Sequence, residues 1–242
     1  MKSAACLLLL LFASCCAAAP FEIKIHDELI APYQESVYET EAHVYRAPSS
    51  QALKSSVVQT RLEYAYGVTR ASEWSINAFL SNYAGNNELN GGKIAHLYIP
   101  EHDEDGWFHY GIKNEINTYR PLFAPQQVYY EITPILALQT AQWRLTLNPS
   151  LDYYFKGGHH WELAPGARLA YRLTRETSVG VEYYSEMGPL RNLTSVSQRP
   201  DMAYLVLDTK RGNSSFHFGL GKGVNAVSDQ WVFKFIGAFE FK

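Results

Sequence analysis

Ser215 and His217 stand two residues apart, the residue types of a nucleophilic hydroxyl and its general base. Such a pair works only when the imidazole can take the hydroxyl proton and an acid orients the imidazole. On extended chain, residues two apart share a face. No acidic partner or oxyanion loop is apparent beside them, so a membrane-embedded hydrolase is the weaker reading and no enzyme is expected. Glu101, His102, Asp103, Glu104 and Asp105 offer oxygen ligands for a divalent cation, but without the spacing of a calcium loop they read as a solvated acidic loop. His159 and His160, next to Gly157 and Gly158, would point apart on extended backbone, which suits no metal. All three cysteines, Cys6, Cys15 and Cys16, sit near the start of the chain. No metal and no cofactor is expected.

The largest chemical set is a group of charged residues that recur on one face of successive extended segments. It comprises Arg61, Glu63, Lys113, Glu115, Glu131, Arg144, Asp152, Arg168, Arg172, Glu182, Tyr184, Asp208 and Lys234. Charges that leave water must be paired, so these residues either fill a narrow interior with ion pairs or line a polar pore. We expect an inner belt in which Arg144, Arg168 and Arg172 meet Asp152 and Glu182 across neighbouring strands, with Tyr184 bridging.

The elements that must position them begin after a leader. Lys2, the apolar run 4–11 and Ala17, Ala18 and Ala19 before Pro20 read as a secretory signal peptide over residues 1–19. Phe12, Ala13 and Ser14 before Cys15 only loosely resemble a lipoprotein box, and a conventional cleavage site follows at once. With the cysteines in the leader, the mature chain would hold no thiol. No later stretch approaches the ~18 apolar residues of a transmembrane helix. A formal net charge of -3 gives no basic field, so nucleic acid is not a partner.

From Ser36 onward the chain alternates with period two in segments separated by turn residues. The predicted strands are 36–46, 57–68, 73–83, 91–99, 107–119, 127–138, 142–155, 161–173, 177–187, 202–209, 214–222 and 230–241. In the last, Trp231, Phe233, Phe235, Phe239 and Phe241 oppose Lys234 and Glu240. Another sets Leu163, Ala167, Leu169, Tyr171 and Leu173 against Glu162, Arg168 and Arg172. These strands exceed the usual length in soluble sheets. The five tryptophans, Trp74, Trp107, Trp143, Trp161 and Trp231, begin strands, where an interfacial aromatic girdle would lie. Turns 69–72, 139–141, 174–176 and 210–213 are tight, whereas 47–56, 84–90 and 188–201 read as long loops, and 100–106 is a longer loop on the short side. That alternation suits a barrel with both termini in the periplasm. Pro134, Pro149 and Pro165 lie inside three successive strands, which points to a shared bulge.

The text of the strands also resembles a family. Residues 148–153 (Asn-Pro-Ser-Leu-Asp-Tyr), 170–174, 180–184 and 186–190, with 63–67 and 228–231, resemble segments of proteobacterial outer-membrane barrels of the MetA-pathway phenol-degradation type. The resemblance covers most of the chain and implies a barrel fold and passage of small organic molecules; it carries no catalytic set. The final Phe241 and Lys242 depart from the terminal Phe common in such barrels.

The reading is therefore all-β: a closed antiparallel up-and-down transmembrane β-barrel of about twelve strands over residues 36–242, in the bacterial outer membrane. Residues 20–35 form an irregular periplasmic stretch or a plug. The expected role is a porin-like channel for small molecules, hydrophobic or aromatic ones among them; the alternative is a structural or interaction barrel whose lumen is closed by ion pairs. Its expected partners are outer-membrane lipid and lipopolysaccharide, the barrel-assembly machinery through the C-terminal strand, and a small-molecule solute.

Overall fold

The computed structural model describes residues 23–27, 29–48, 56–100, 106–121, 125–156 and 159–241. The expected leader over residues 1–19 with the three cysteines, the acidic run 101–105 and Gly157 and Gly158 lie outside the described residues. Alternating sequence becomes a ladder of antiparallel strands: β1 (Ser36–Arg46), β2 (Val57–Thr69), β3 (Ser72–Tyr83), β4 (Asn86–Tyr98), β5 (Phe108–Tyr119), β6 (Gln127–Gln139) and β7 (Trp143–Tyr154). The chain continues as β8 (His160–Arg172), β9 (Thr177–Ser185), the two-residue β10 (Gly188–Pro189), β11 (Asp201–Arg211), β12 (Ser214–Gly223) and β13 (Trp231–Phe241).

Each long strand pairs with its sequence neighbours, and β1 pairs with β13 from Ser36↔Phe241 to Arg46↔Trp231, so the sheet closes on itself. Closure removes the free edges that an open sheet would present. One seam needs help. β9 pairs with β8 only from Gly166 to Arg172, and the freed upper part of β8 is met by β10 at Leu163 and Glu162.

The faces separate cleanly. Leu62, Ile76, Ile94, Ile116, Leu147, Leu169, Leu205 and Leu220 are exposed on the outside, whereas Glu41, Arg61, Lys93, Glu115, Thr133, Glu182 and Lys234 are buried on the inside. A soluble barrel has the reverse arrangement. The short turns after β2, β6, β8 and β11 share one end, the turn end, which faces the periplasm in bacterial barrels. The opposite end is the loop end.

Two expectations are corrected. The supposed long loop 84–90 is a hairpin: Ala84 and Gly85 both have positive φ, 52° and 81°, and make a two-residue turn that joins β3 directly to β4. A register shift beside Phe79 absorbs the extra residue, so the Asn- and Gly-rich text there is strand. The prolines make no bulge either. Pro149 lies directly opposite Pro165 with the register unbroken, and the β6–β7 pairing resumes in register beyond its gap at 133–135. There the Thr133 and Ser150 hydroxyls meet at 2.8 Å, a side-chain bond where the backbone ladder is interrupted.

Candidate functional site in the barrel lumen

The described residues before β1, 23–27 and 29–35, run into the barrel. At the turn end, Tyr33 makes a parallel bridge to Gly67 of β2, with Gln34 N donating to Gly67 O at 2.8 Å and Gly67 N to Glu35 O at 3.1 Å. Glycine is required there, because a Cβ at position 67 would stand 2.1 Å from Pro32 O. Further in, Ala31 N donates to Glu73 of β3 at 2.5 Å, and Ile30 packs on Leu97, Ile99 and Ile135. His26 reaches the far wall: its amide donates to Asn148 Oδ1 of β7 at 2.7 Å, and Asn148 Nδ2 returns a bond to His26 O at 3.0 Å. Ile23 N then donates to Glu41 of β1 at 2.7 Å, while Lys234 of β13 donates to Ile23 O at 2.9 Å. The segment thus touches walls on opposite sides of the lumen.

Its cation Lys24 joins an ion network on β1 and β2. Arg61 is wholly buried, donates from Nε to Glu41 at 3.0 Å and from Nη1 to Asn77 at 2.8 Å, and contacts Glu39 and Glu63. Lys24 holds Glu39 at 2.7 Å. One guanidinium among three carboxylates leaves excess negative charge, which the ammonium of the segment offsets.

A second cluster spans β8 to β13. Lys234 contacts Glu182, Tyr184 Oη donates to Glu182 at 2.8 Å, and Lys234 donates to Tyr184 Oη at 3.1 Å. Arg168 lies 3.8 Å from Glu182 and contacts Asp208. Of the pairs in the expected belt only Arg168 and Glu182 approach here, and Tyr184 bridges Lys234 and Glu182 instead of an arginine and a carboxylate. Elsewhere the belt fails. Asp152 stands in register between Glu131 and Glu162, and Glu131 faces Glu115, so four adjacent strands carry a row of carboxylates. Lys93 and Lys113 hold Glu115 at 2.8 and 2.6 Å, and His160 holds Glu162 at 2.8 Å. Arg144 and Asp152 are eight residues apart on one strand, about 26 Å at ~3.3 Å per residue. Sharing a face does not bring charges together when their heights differ. Arg144 bonds instead to Gln139 at 2.9 Å, and Arg172 is exposed at the turn end.

Of the charged residues expected inside, Arg61, Lys113, Glu115, Asp152, Glu182 and Lys234 are buried, and Glu63, Glu131, Arg144, Arg168, Tyr184 and Asp208 are partly so. Glu39, Glu41, His43 and Lys93 belong to the same interior but were not singled out. Period-two parity in β1 already put Glu39, Glu41 and His43 on one face. All five tryptophans are exposed: Trp74, Trp107 and Trp143 at the turn end, and Trp161 and Trp231 at the loop end.

The catalytic candidates resolve differently. His217 does have an acidic partner, since Nδ1 lies 2.8 Å from Asp208, but Asp208 is also held by Arg168 and by the Ser178 hydroxyl at 3.1 Å. Among the described residues no bond joins Ser215 to His217. His159 is exposed with φ 48°, while His160 enters β8 and stacks on Tyr154 at 5.5 Å. No group of three or more metal-ligating side chains occurs among the described residues.

A closed barrel, apolar outside and ionic within, defines an outer-membrane β-barrel, and the bacterial outer membrane is its place. No family model and no curated protein matches the chain. Among solved structures it is similar to the COG4313 outer membrane channel from Pseudomonas putida F1, with a TM-score of 0.63 and 9% identity, over 91% of this chain and 100% of that one. It is also similar to the KdgM porin in complex with disordered oligogalacturonate (TM-score 0.56, 10% identity, 85% and 99% covered) and to the NanC porin (0.54, 12%, 84% and 98%). At such identities the likeness speaks for the fold.

Proposed function

We propose that the protein is an outer-membrane channel for small molecules whose lumen is occupied, in this state, by its own residues 23–35. The observation that carries the reading is the polar, ion-lined interior crossed by a segment that, beyond its bridge from Tyr33 to Gly67, is held by single hydrogen bonds to wall side chains and not woven into the sheet. Bonds of that kind, such as those at Asn148 and Glu73, can be exchanged for water one at a time. Hydrophobic or aromatic solutes are favoured by the inner face near the loop end, where Phe79, Tyr119, Tyr129 and Tyr154 form an aromatic wall. The resemblance to the phenol-degradation barrels supports the same class. The exterior would meet lipid and lipopolysaccharide, and β13 would serve the assembly machinery.

Planar-bilayer recording tests the reading. The full chain should show few or small openings, and a variant lacking residues 23–31 should give larger steps that grow with salt. If both are silent, the rival interaction barrel, closed by ion pairs, replaces the channel.

A further inference from the structure

Few acidic or basic side chains take outward positions on the described strands: Arg46, Asp201, Arg211 and Lys222. Arg211 is at the turn end, and the other three are at the loop end. Asp201 is buried and held by Arg199 at 3.1 Å. Arg46 and Lys222 are exposed and make neither an ion pair nor a side-chain hydrogen bond among the described residues. Residues 47–56, which follow β1, include no Asp or Glu. A cation at the edge of a lipid-facing surface is costly unless it reaches water or meets an anion.

Register sets these two cations on either side of one tryptophan. Arg46 lies opposite Trp231, and Gly221 lies opposite Val232, which brings Lys222 alongside Trp231 from the other flank. Because β1, β13 and β12 are neighbours, the two backbones stand about 10 Å apart, at ~4.8 Å per strand. Both long side chains can reach one anion lying over the indole. Toward mid-membrane the same face continues as the exposed Phe233 and Leu220.

We propose that Arg46, Trp231 and Lys222 form a site for a phosphate of lipopolysaccharide. The location chooses the source: the loop end is opposite the periplasmic turns and so lies in the outer leaflet. The guanidinium fork of Arg46 takes two phosphate oxygens and Lys222 adds a point charge, while Trp231 sits at headgroup height with the acyl chains along Phe233 and Leu220. The site deepens the reading of the exterior as a lipopolysaccharide contact and rests on it; it does not depend on the channel.

The unfolding midpoint of the full chain in detergent tests the site, with lipopolysaccharide, lipopolysaccharide stripped of its phosphates, and phosphatidylglycerol as probes. Intact lipopolysaccharide should raise the midpoint saturably, and the other two should raise it less. The double variant Arg46→Gln, Lys222→Gln should need about tenfold more lipopolysaccharide for the same rise, whereas Arg211→Gln at the opposite end should behave as the unaltered chain. If the double variant does not refold, the stripped probe on the unaltered chain still decides. An equal rise with stripped lipopolysaccharide, or with phosphatidylglycerol, overturns the proposal. A double variant stabilised as strongly as the unaltered chain overturns this site and leaves the exterior contact, whereas lipopolysaccharide that stabilises neither chain removes both.

Discussion

The two sides of the lumen solve the problem of interior charge differently. On β1 and β2, Arg61 is fully enclosed by Glu39, Glu41, Glu63 and Asn77, and the segment adds Lys24 and the Ile23 amide to the same cluster. On β7 to β9, Arg144, Arg168 and Arg172 border a cavity and the mouth of the barrel. The first side is filled and the second is open. Charge in a filled wall is structural, because water cannot replace a lost partner; along an open wall it can.

That contrast ranks the mutations. Arg61→Ala leaves three carboxylates confined without their guanidinium and should cost about 3 to 5 kcal/mol, read as a lowered unfolding midpoint in detergent. Little or no loss would mean that water reaches the filled side. Next come the faces. Leu147→Arg places charge at mid-strand against lipid and should cost about 2 to 4 kcal/mol in a refolding assay, with Leu169→Arg, nearer the Trp143 girdle, costing less, and Ser150→Arg, which points into the lumen on the face of Asp152, milder still. Equal costs would contradict the assignment of the faces, and the reverse order would invert it. Arg168→Ala lies between the two regimes: it loses Asp208 and Glu182 but borders the cavity, so about 1 to 2 kcal/mol is expected, with a shift in ion selectivity. A variant unchanged in both would remove Arg168 from the lumen.

A pH-dependent effect concerns the loop between β12 and β13. Burial pushes the Asp229 carboxyl up to about 6, from 3.8. A carboxyl raised in the folded state favours folding fully below about pH 4, and that contribution is lost as pH rises through 6. The unfolding midpoint should therefore fall between pH 4 and pH 7 by an amount that Asp229→Asn removes. A variant with the same slope would place the dependence elsewhere.

Much of this was legible in the chain. Period-two alternation located every long strand, because each side chain's face follows from parity alone; in β13, Lys234 and Phe233 could be sent to opposite sides without knowing any neighbour. The hairpin at Ala84 and Gly85 was missed because Asn and Gly mark turns, and here the turn needed only two residues while the rest paired. The lumen segment gave no period to read. Its decisive contact, His26 with Asn148, joins positions 122 residues apart and is made through backbone atoms that any residue carries. Heights were equally hidden: parity put Arg144 and Asp152 on one face but said nothing of the register that sets Asp152 beside Glu131 and Glu162.

The occupied lumen is the central claim, and a tether tests it most directly. Ile25 of the segment points at Gly166 of β8, where a Cβ would stand 2.5 Å from Ile25 Cδ1, so Ile25→Cys with Gly166→Cys should form a disulfide that ties the segment to the wall. In a planar bilayer the oxidised protein should stay closed, and adding reductant should restore openings that respond to salt. Identical conductance with the tether formed and broken would contradict the account, because the segment would then have no part in closing the lumen.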